Sequence, residues 1–174
     1  MRNYKPATKP TIYFIGVTTG SSSIMTVFPK WAHALGLKDA VIRGIDFPPH
    51  ASAEAYREAV HFIKNDPLSL GALVTTHKID LFNSCKDLFD FLDPFALKLG
   101  EISSISKKGG HLCGHAKDPI SSGLALEHFV PADFWSAHNG DVLLIGAGGS
   151  TLAMSVYLSQ SKFGNNVPKK NNHC

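Results

Sequence analysis

Cysteine is scarce in this sequence, and long apolar runs are missing. Three cysteines, Cys85, Cys113 and Cys174, occur among 174 residues. An odd number without paired spacing argues against a disulfide framework and is typical of reduced thiols in a cytosolic protein. The apolar run at residues 12–15 is far too short for a signal sequence or a membrane span. We therefore expect a cytoplasmic protein that has no membrane partner.

Basic clusters are also missing. The 17 Lys and Arg residues and the 14 Asp and Glu residues give a net charge of +3, and the lysines are scattered except for pairs at residues 107–108 and 169–170. Without a basic stripe we expect no nucleic-acid partner, whereas an anionic small molecule stays open. The content of 44% hydrophobic and 18% charged residues is typical of a folded globular chain. The length fits one domain, or one domain plus part of another.

Predicted strands and helices alternate in the first half of the chain. Short apolar runs at residues 11–15, 41–47 and 70–74 are typical of buried strands. Residues 25–35 and 52–64 have the apolar spacing of amphipathic helices, and the second of these begins with a serine suited to be its N-cap. This alternation predicts a three-layer α/β domain with a mostly parallel sheet.

Two polar loops follow predicted strands. Residues 18–23 read Thr-Thr-Gly-Ser-Ser-Ser after the first strand, and residues 75–78 read Thr-Thr-His-Lys after the third. In open α/β sheets, ligands bind at the carboxyl ends of the strands. Hydroxyl groups and loop amides can donate hydrogen bonds to a carboxylate. The sequence therefore predicts a small-molecule site at this edge, and a predicted hairpin at residues 102–114 leads from it to a loop containing Asp118.

A glycine-rich turn follows the apolar strand at residues 141–145 and precedes a predicted helix at residues 151–158. Glycines in this context permit a tight turn and a close approach of the backbone to a pyrophosphate, whose charge the helix N-terminus stabilises. The turn predicts a dinucleotide site that is incomplete, because a Rossmann half needs a second strand and a selector residue further on. The candidate cofactor-binding residues are Gly146, Ala147, Gly148, Gly149 and Ser150.

The serine-rich loop, the threonine-lysine loop, the aspartate before a helix and the Gly-Ala-Gly-Gly turn, in this order, resemble the shikimate/quinate dehydrogenase family. The resemblance implies a substrate-binding domain at residues 1–130 and the truncated start of a Rossmann-type NAD(P)-binding domain at residues 131–174. It implies an NADP-dependent oxidoreductase that reversibly reduces 3-dehydroshikimate to shikimate in chorismate and aromatic amino acid biosynthesis. Quinate and other alicyclic hydroxy acids stay open as substrates.

The resemblance also implies roles for single residues. Ser21 and Ser23 would bind the substrate carboxylate, and Thr75 would also contact the substrate. Lys78 and Asp118 would be the catalytic pair that handles the proton of the substrate hydroxyl during hydride transfer. This pairing is chemically reasonable, because an ammonium can stabilise a developing alkoxide while a neighbouring carboxylate orients it.

Several motifs depart from the family pattern. The Val-Thr-x-Pro-x-Lys motif is one residue shorter here and has His77 near the usual proline. Ser103 replaces a substrate-contacting asparagine and stays a candidate substrate-binding residue through its hydroxyl. Lys117 adds a cation beside the retained Asp118. We expect these changes to affect the identity of the substrate more than the fold, and His77 is a candidate to support Lys78 without touching the substrate.

A metal site is not expected. His111, Cys113 and His115 alternate along one predicted strand, which places all three on the same face. No fourth ligand accompanies them in the sequence, whereas structural zinc sites have four.

The tail departs from the pattern of a Rossmann domain. Residues 171–174 read Asn-Asn-His-Cys, where an apolar second strand is expected. One hypothesis is a frameshift, because an extra A in the preceding lysine codons would produce this change. We expect one strand and one helix in this region, packing poorly unless another chain covers them. A catalytically silent binding module and a gene fragment are therefore the alternatives to an active dehydrogenase.

Overall fold

Strands and helices alternate along the first part of the chain, as the apolar periodicity predicted. The computed structural model describes residues 4–160, 164–169 and 171–173. The chain divides into two units, Met1–Ala116 and Lys117–Cys174. This division lies before the boundary at residue 130 that the resemblance implied, because the helix Asp118–Glu127 packs against a later helix.

The described residues of the first unit contain six strands and four helices. The strands are β1 (Thr11–Gly16), β2 (Val41–Asp46), β3 (Ser69–Val74), β4 (Phe91–Leu92), β5 (Ser104–Lys108) and β6 (His111–His115). The helices are α1 (Ile24–Ala34), α2 (Ala53–Asn65), α3 (Lys78–Cys85) and α4 (Pro94–Leu99). Short 3-10 turns cover Thr19–Ser21 and Lys86–Leu88.

One mixed sheet contains all six strands, in the order β2-β1-β3-β5-β6-β4. Strand β1 is parallel to both β2 and β3, and β4 is parallel to β6. Strand β5 is antiparallel to β3 and to β6, with which it forms the predicted hairpin. The predicted α/β class with a mostly parallel sheet is confirmed. Because β1, β2 and β3 run in the same direction, their carboxyl ends at Gly16, Asp46 and Val74 meet at one edge.

The main core lies between the sheet and the helices α2 and α3. Successive side chains of a strand point to opposite faces, so Tyr13 and Ile15 face this core while Phe14 faces away from it. Helix α2 fills the core with side chains spaced three and four residues apart, among them the fully buried Tyr56 and Ile63. Burial of a large apolar side chain stabilises the fold by about 1.5 to 3 kcal/mol.

Helix α2 begins where the sequence predicted. The hydroxyl of Ser52 accepts a hydrogen bond from the amide of Ala55 at 3.3 Å, which confirms Ser52 as the N-cap. Helix α1 packs beside β2 and buries Phe28 and Ala32, which do not belong to the core beneath α2. Helices therefore lie on both faces of the sheet, as expected for three layers.

The described residues of the second unit contain two strands and three helices. These are α5 (Asp118–Glu127), α6 (Phe134–His138), β7 (Val142–Leu144), α7 (Gly149–Leu158) and β8 (Asn171–His173). The prediction of a single strand here is wrong, since β8 pairs in parallel with β7. Backbone groups make this pairing, so the polar sequence Asn-Asn-His does not prevent it. The expected poor cover is confirmed for the strand, because Leu143 is 59% exposed and Ile145 is 86% exposed. It is wrong for α7, which buries Ala153, Tyr157 and Leu158.

Candidate functional site

The loop after β1 is fixed by a hydrogen bond to the last residue of β2. Its first turn, Thr19–Ser21, follows Gly16, and the amide of Thr19 donates a hydrogen bond to Oδ1 of Asp46 at 2.9 Å. The side chain of Thr19 is buried against Gly44, where an added Cβ would lie 1.9 Å from the Thr19 Oγ1. Only glycine at position 44 leaves room for this threonine.

The serines of this loop differ in what their hydroxyls do. The hydroxyl of Ser21 donates to the carbonyl of Thr18 at 3.0 Å, which closes the turn on itself. Ser23 occupies the N-cap position of α1 with helical backbone angles, and its side chain makes no capping hydrogen bond. Its carbonyl accepts the hydroxyl of Thr26 at 2.9 Å.

The loop after β3 lies beside the first loop. The amide of Thr75 donates to the carbonyl of Ile15 at 3.0 Å, which extends the pairing of β1 and β3 into the loops. The next residue, Thr76, has a φ of 59°, in the left-handed region that β-branched residues rarely adopt. The amide of His77 donates to the carbonyl of Thr75 at 2.5 Å, so the chain turns within three residues. Helix α3 then begins at Lys78.

Between the two loops is an open cavity of about 280 Å³. Six of the nine residues that line it carry a hydroxyl: Thr18, Thr19, Ser21, Ser22, Thr75 and Thr76. The other three are Phe14, Gly16 and Val17. Of the residues singled out from the sequence, Ser21 and Thr75 line this cavity. Ser22 and Thr76, which sequence reasoning did not select, line it as well. The run of hydroxyl side chains in both loops was the available signal for them.

A buried hydrogen-bonded pair lies directly before Lys78. His77 and Tyr56 are both fully buried, and the hydroxyl of Tyr56 lies 2.9 Å from Nδ1 of His77. The same hydroxyl accepts the amide of Ala51 at 3.2 Å, and burial raises the pKa of Tyr56. Within the described residues, Nε2 of His77 has no hydrogen-bond partner. The ring of Phe47 contacts His77 edge-on, at 5.9 Å between centroids. These contacts fix the backbone from which Lys78 projects.

Ser103 lies directly before β5 and does not line the cavity. It is buried, and its amide and hydroxyl both point to the carbonyl of His115, at 2.9 Å and 3.4 Å. The carbonyl of Ser103 accepts the amide of Val74. Lys78 is tied to the same strand end, because its carbonyl accepts the amide of Ile102 at 3.1 Å.

The remaining site residues belong to the second unit. Asp118 is the first residue of α5, a position where a carboxylate is favoured by the helix dipole. The glycine-rich turn links β7 to α7, and Gly146 has a φ of 109°, which favours glycine. Helix α7 begins at Gly149, and a Cβ at Gly148 would meet nothing within 4 Å. Open space beside the backbone at a helix N-terminus fits a phosphate group.

A larger cavity of about 400 Å³ lies within the second unit, lined by residues of α5, α7 and the segment around Trp135. The hydroxyl of Tyr157 donates to Glu127 in its wall, and burial with this bond raises the pKa of Tyr157 to about 12. A Cβ at Gly123 would lie 2.1 Å from the Tyr157 ring, so α5 and α7 pack closely. The walls of this cavity are mainly apolar, and the two hydroxyl-rich loops do not line it. It is therefore not the candidate substrate site.

Neither a metal-binding cluster nor a helix suited to cross a membrane occurs in the described part of the chain. No group of three or more His, Cys, Asp or Glu side chains there could hold a metal ion. His115 instead contacts Asp93, with 3.4 Å between Nδ1 and Oδ2, and Ser106 at its Nε2. In the same residues, no helix combines the length and the apolar character needed to cross a membrane.

Curated relatives match somewhat more than half of the chain. No protein-family profile matches it. A shikimate dehydrogenase (NADP(+)) from Bacillus cereus (strain G9842) is 30% identical over 111 residues. This match covers 64% of the chain and 37% of the relative. The chain therefore spans little more than a third of the length of this relative.

Solved structures share the fold over nearly the whole chain. A shikimate 5-dehydrogenase from Listeria monocytogenes, in complex with shikimate and NAD, matches with a TM-score of 0.68 at 18% identity, over 99% of this chain and 54% of that one. A 5-ketofructose reductase from Gluconobacter sp. strain CHM43 matches with a TM-score of 0.66 at 17% identity, over 96% and 54%. The chain thus shares its α/β fold with these enzymes. In sequence and fold it is similar to shikimate dehydrogenases, as its motifs predicted.

Proposed function

We propose that this chain forms the substrate-binding half, and the start of the cofactor-binding half, of an NADP-linked dehydrogenase of the shikimate dehydrogenase type. The observation that carries the proposal is the hydroxyl-lined cavity between the loops after β1 and β3, the second of which ends where α3 begins at Lys78. Candidate substrates are 3-dehydroshikimate and shikimate, quinate, or another polyhydroxylated ring compound. A 5-ketofructose reductase has the same fold, so the fold alone leaves the charge of the substrate open.

In the proposed reaction, Lys78 and Asp118 handle the proton of the reacting hydroxyl. The ammonium of Lys78 stabilises the oxygen as it loses its proton, and the carboxylate of Asp118 accepts that proton and releases it to solvent. Bound NADP⁺ supplies the acceptor for the hydride that leaves the substrate carbon. The Tyr56 and His77 pair holds the start of α3, which favours a fixed position for Lys78.

The glycine-rich turn is the proposed phosphate site. Gly146 and Gly148 leave open space beside the backbone, and the amides at the start of α7, which begins at Gly149, would donate to a bound phosphate. Ala147 and Ser150 complete the turn in this proposal. The curated relatives are named as NADP(+) enzymes, which supports NADP over NAD.

Thermal unfolding and NADPH consumption test the proposal together. Unfolding of the purified chain is measured with shikimate, quinate and neutral ring polyols, and NADPH absorbance is followed with 3-dehydroshikimate. We expect a ligand to raise the unfolding temperature, since binding to the folded state stabilises it. We expect Lys78→Gln to lower turnover by about a hundredfold or more, the usual size of a general acid–base effect.

The matched control is Lys30→Gln, which removes an exposed lysine of α1. It should leave both measurements unchanged. Stabilisation by a ligand without turnover would indicate a binding module. No stabilisation by any of these compounds would contradict the proposal.

A further inference from the structure

We infer that the cavity within the second unit binds a small organic ammonium compound, in which the charged nitrogen carries an apolar or aromatic group. Its volume of about 400 Å³ is within the range of small-molecule sites. The features that carry the inference are a carboxylate, from Glu127, and an indole ring, from Trp135, in the wall of this cavity. The described residues of the wall include no Lys, Arg or His.

Apolar side chains form most of the wall. They are Leu126, Val130, Pro131, Ala132 and Leu158. Asn166 lies on one side, where its Oδ1 accepts the amide of Ser136 at 3.0 Å and its Nδ2 donates to the carbonyl of Ala132. These walls favour a ligand with an apolar body, because burial of that body removes apolar surface from water.

Glu127 is the charged side chain of the described wall. The hydroxyl of Tyr157 donates to its Oε1, which fixes the position of the carboxylate. A carboxylate has about four acceptor sites, so it can accept further hydrogen bonds from a ligand. An ammonium group only donates, and a hydrogen bond between these two charged groups is stronger than one between neutral groups.

Two helix ends add negative charge to the same cavity. Helix α5 ends at Glu127 and α7 ends at Leu158, and the last turns of both line the cavity. The C-terminus of a helix has a partial negative charge, which favours a cation. Neither helix has a basic residue in its last turn, and His128, which follows α5, does not line the cavity.

The ring of Trp135 suits the same ligand. An indole face attracts a cation, more strongly than the ring of Tyr or Phe does. Trp135 is half-buried, and Phe134 packs against it edge-on, with 5.0 Å between the ring centroids. A neutral compound would gain from the apolar wall alone, and an anion would be repelled by Glu127.

A ligand in this cavity would act on two proposed sites of the same unit. Helix α5 begins at Asp118, and α7 begins at Gly149 in the glycine-rich turn. Binding to the last turns of both helices would stabilise the close packing of α5 on α7 at Gly123 and Tyr157. The binding itself does not depend on the proposed function, so it can be tested without turnover.

Three compounds that share a phenyl ring and differ in charge test the inference: phenethylamine, 2-phenylethanol and phenylacetate. The chain has two tryptophans, and Trp31 is 57% exposed on α1. Trp31→Phe therefore makes the emission of Trp135 a direct report on the cavity at pH 7, and calorimetry of the wild-type chain is the second measurement. We expect phenethylamine to bind about tenfold more tightly than 2-phenylethanol, and phenylacetate not to bind.

Glu127→Gln tests the cause, because glutamine keeps an oxygen that can accept the hydroxyl of Tyr157 but removes the charge. It should weaken the binding of phenethylamine about tenfold and leave 2-phenylethanol unchanged. The matched control is Glu54→Gln, which changes an exposed residue in the first turn of α2 and should leave every affinity at the wild-type value. Ala132→Phe changes an exposed lining residue, and its ring should fill the cavity and abolish binding of both compounds.

Four results would overturn the inference while the proposed function stands. They are the absence of phenethylamine binding, equal affinity for phenethylamine and 2-phenylethanol, an affinity ratio that Glu127→Gln leaves unchanged, and binding of the amine that persists in Ala132→Phe.

Discussion

The buried pair of Tyr56 and His77 allows a direct test of the site's packing. Tyr56→Phe removes the hydroxyl that lies 2.9 Å from Nδ1 of His77 and accepts the amide of Ala51. Both side chains are fully buried, so water cannot replace the lost contacts without reorganisation. Each buried polar group left unsatisfied costs about 1 to 3 kcal/mol. We expect a loss of about 2 kcal/mol, equivalent to a fall of about 4 to 8 °C in the unfolding temperature.

Tyr13→Phe is the matched control in the same core. Tyr13 is only 4% exposed, and its hydroxyl has no hydrogen-bond partner among the described residues. Its ring packs edge-on against Phe62, at 5.4 Å, and the substitution keeps that contact. Removing an unsatisfied buried hydroxyl should be neutral or stabilising. Both variants are measured by urea unfolding, with equal m-values as the sign that the unfolded states match. If Tyr13→Phe destabilises as much as Tyr56→Phe, the reasoning fails.

Two further changes probe the sheet edge and the surface. Gly44→Ala would place its Cβ 1.9 Å from Oγ1 of the buried Thr19. We therefore expect the free energy of unfolding in urea to fall by about 1 to 3 kcal/mol, and ligand binding to weaken. Wild-type stability would contradict the close packing. The hydrogen bond from Arg57 lowers the pKa of Asp87, so this pair stabilises the fold above a pH of about 4 and the contribution disappears as the pH falls through the folded pKa. The difference in unfolding temperature between wild type and Arg57→Gln should therefore shrink in acid, where only the bond from Arg57 to the carbonyl of Ser84 remains. A difference independent of pH would refute this assignment.

Local sequence patterns predicted the elements and the position of the site. The apolar runs of β1, β2 and β3 and the N-cap serine of α2 act over a few residues, so they can be read from the sequence. The polar loops could be assigned to one edge because parallel strands place their carboxyl ends together. The resemblance named Ser21 and Thr75 within these loops, and both line the cavity.

Contacts between distant residues could not be read in the same way. The amide of Thr19 and the carboxylate of Asp46 are 27 residues apart, and Tyr56 and His77 are 21 residues apart. Nothing in either segment specifies its partner, because a carboxylate or a tyrosine is usual at many surface and core positions. The strand β8 was missed for another reason, since its pairing depends on backbone groups and not on apolar side chains.

The strained backbone at Thr76 links the shortened loop to the cavity. A β-branched residue in the left-handed region costs about 1 to 2 kcal/mol, and glycine would avoid this cost. Both ends of the turn are fixed, because the amide of Thr75 is bound to Ile15 and the ring of His77 to Tyr56. With one residue fewer than the related motif, the change of direction falls on the single residue between them. Strain of this kind persists where the surroundings impose it and is common at binding sites. Since Thr76 also lines the cavity, its hydroxyl would offer a ligand of the proposed site a contact that glycine at this position could not.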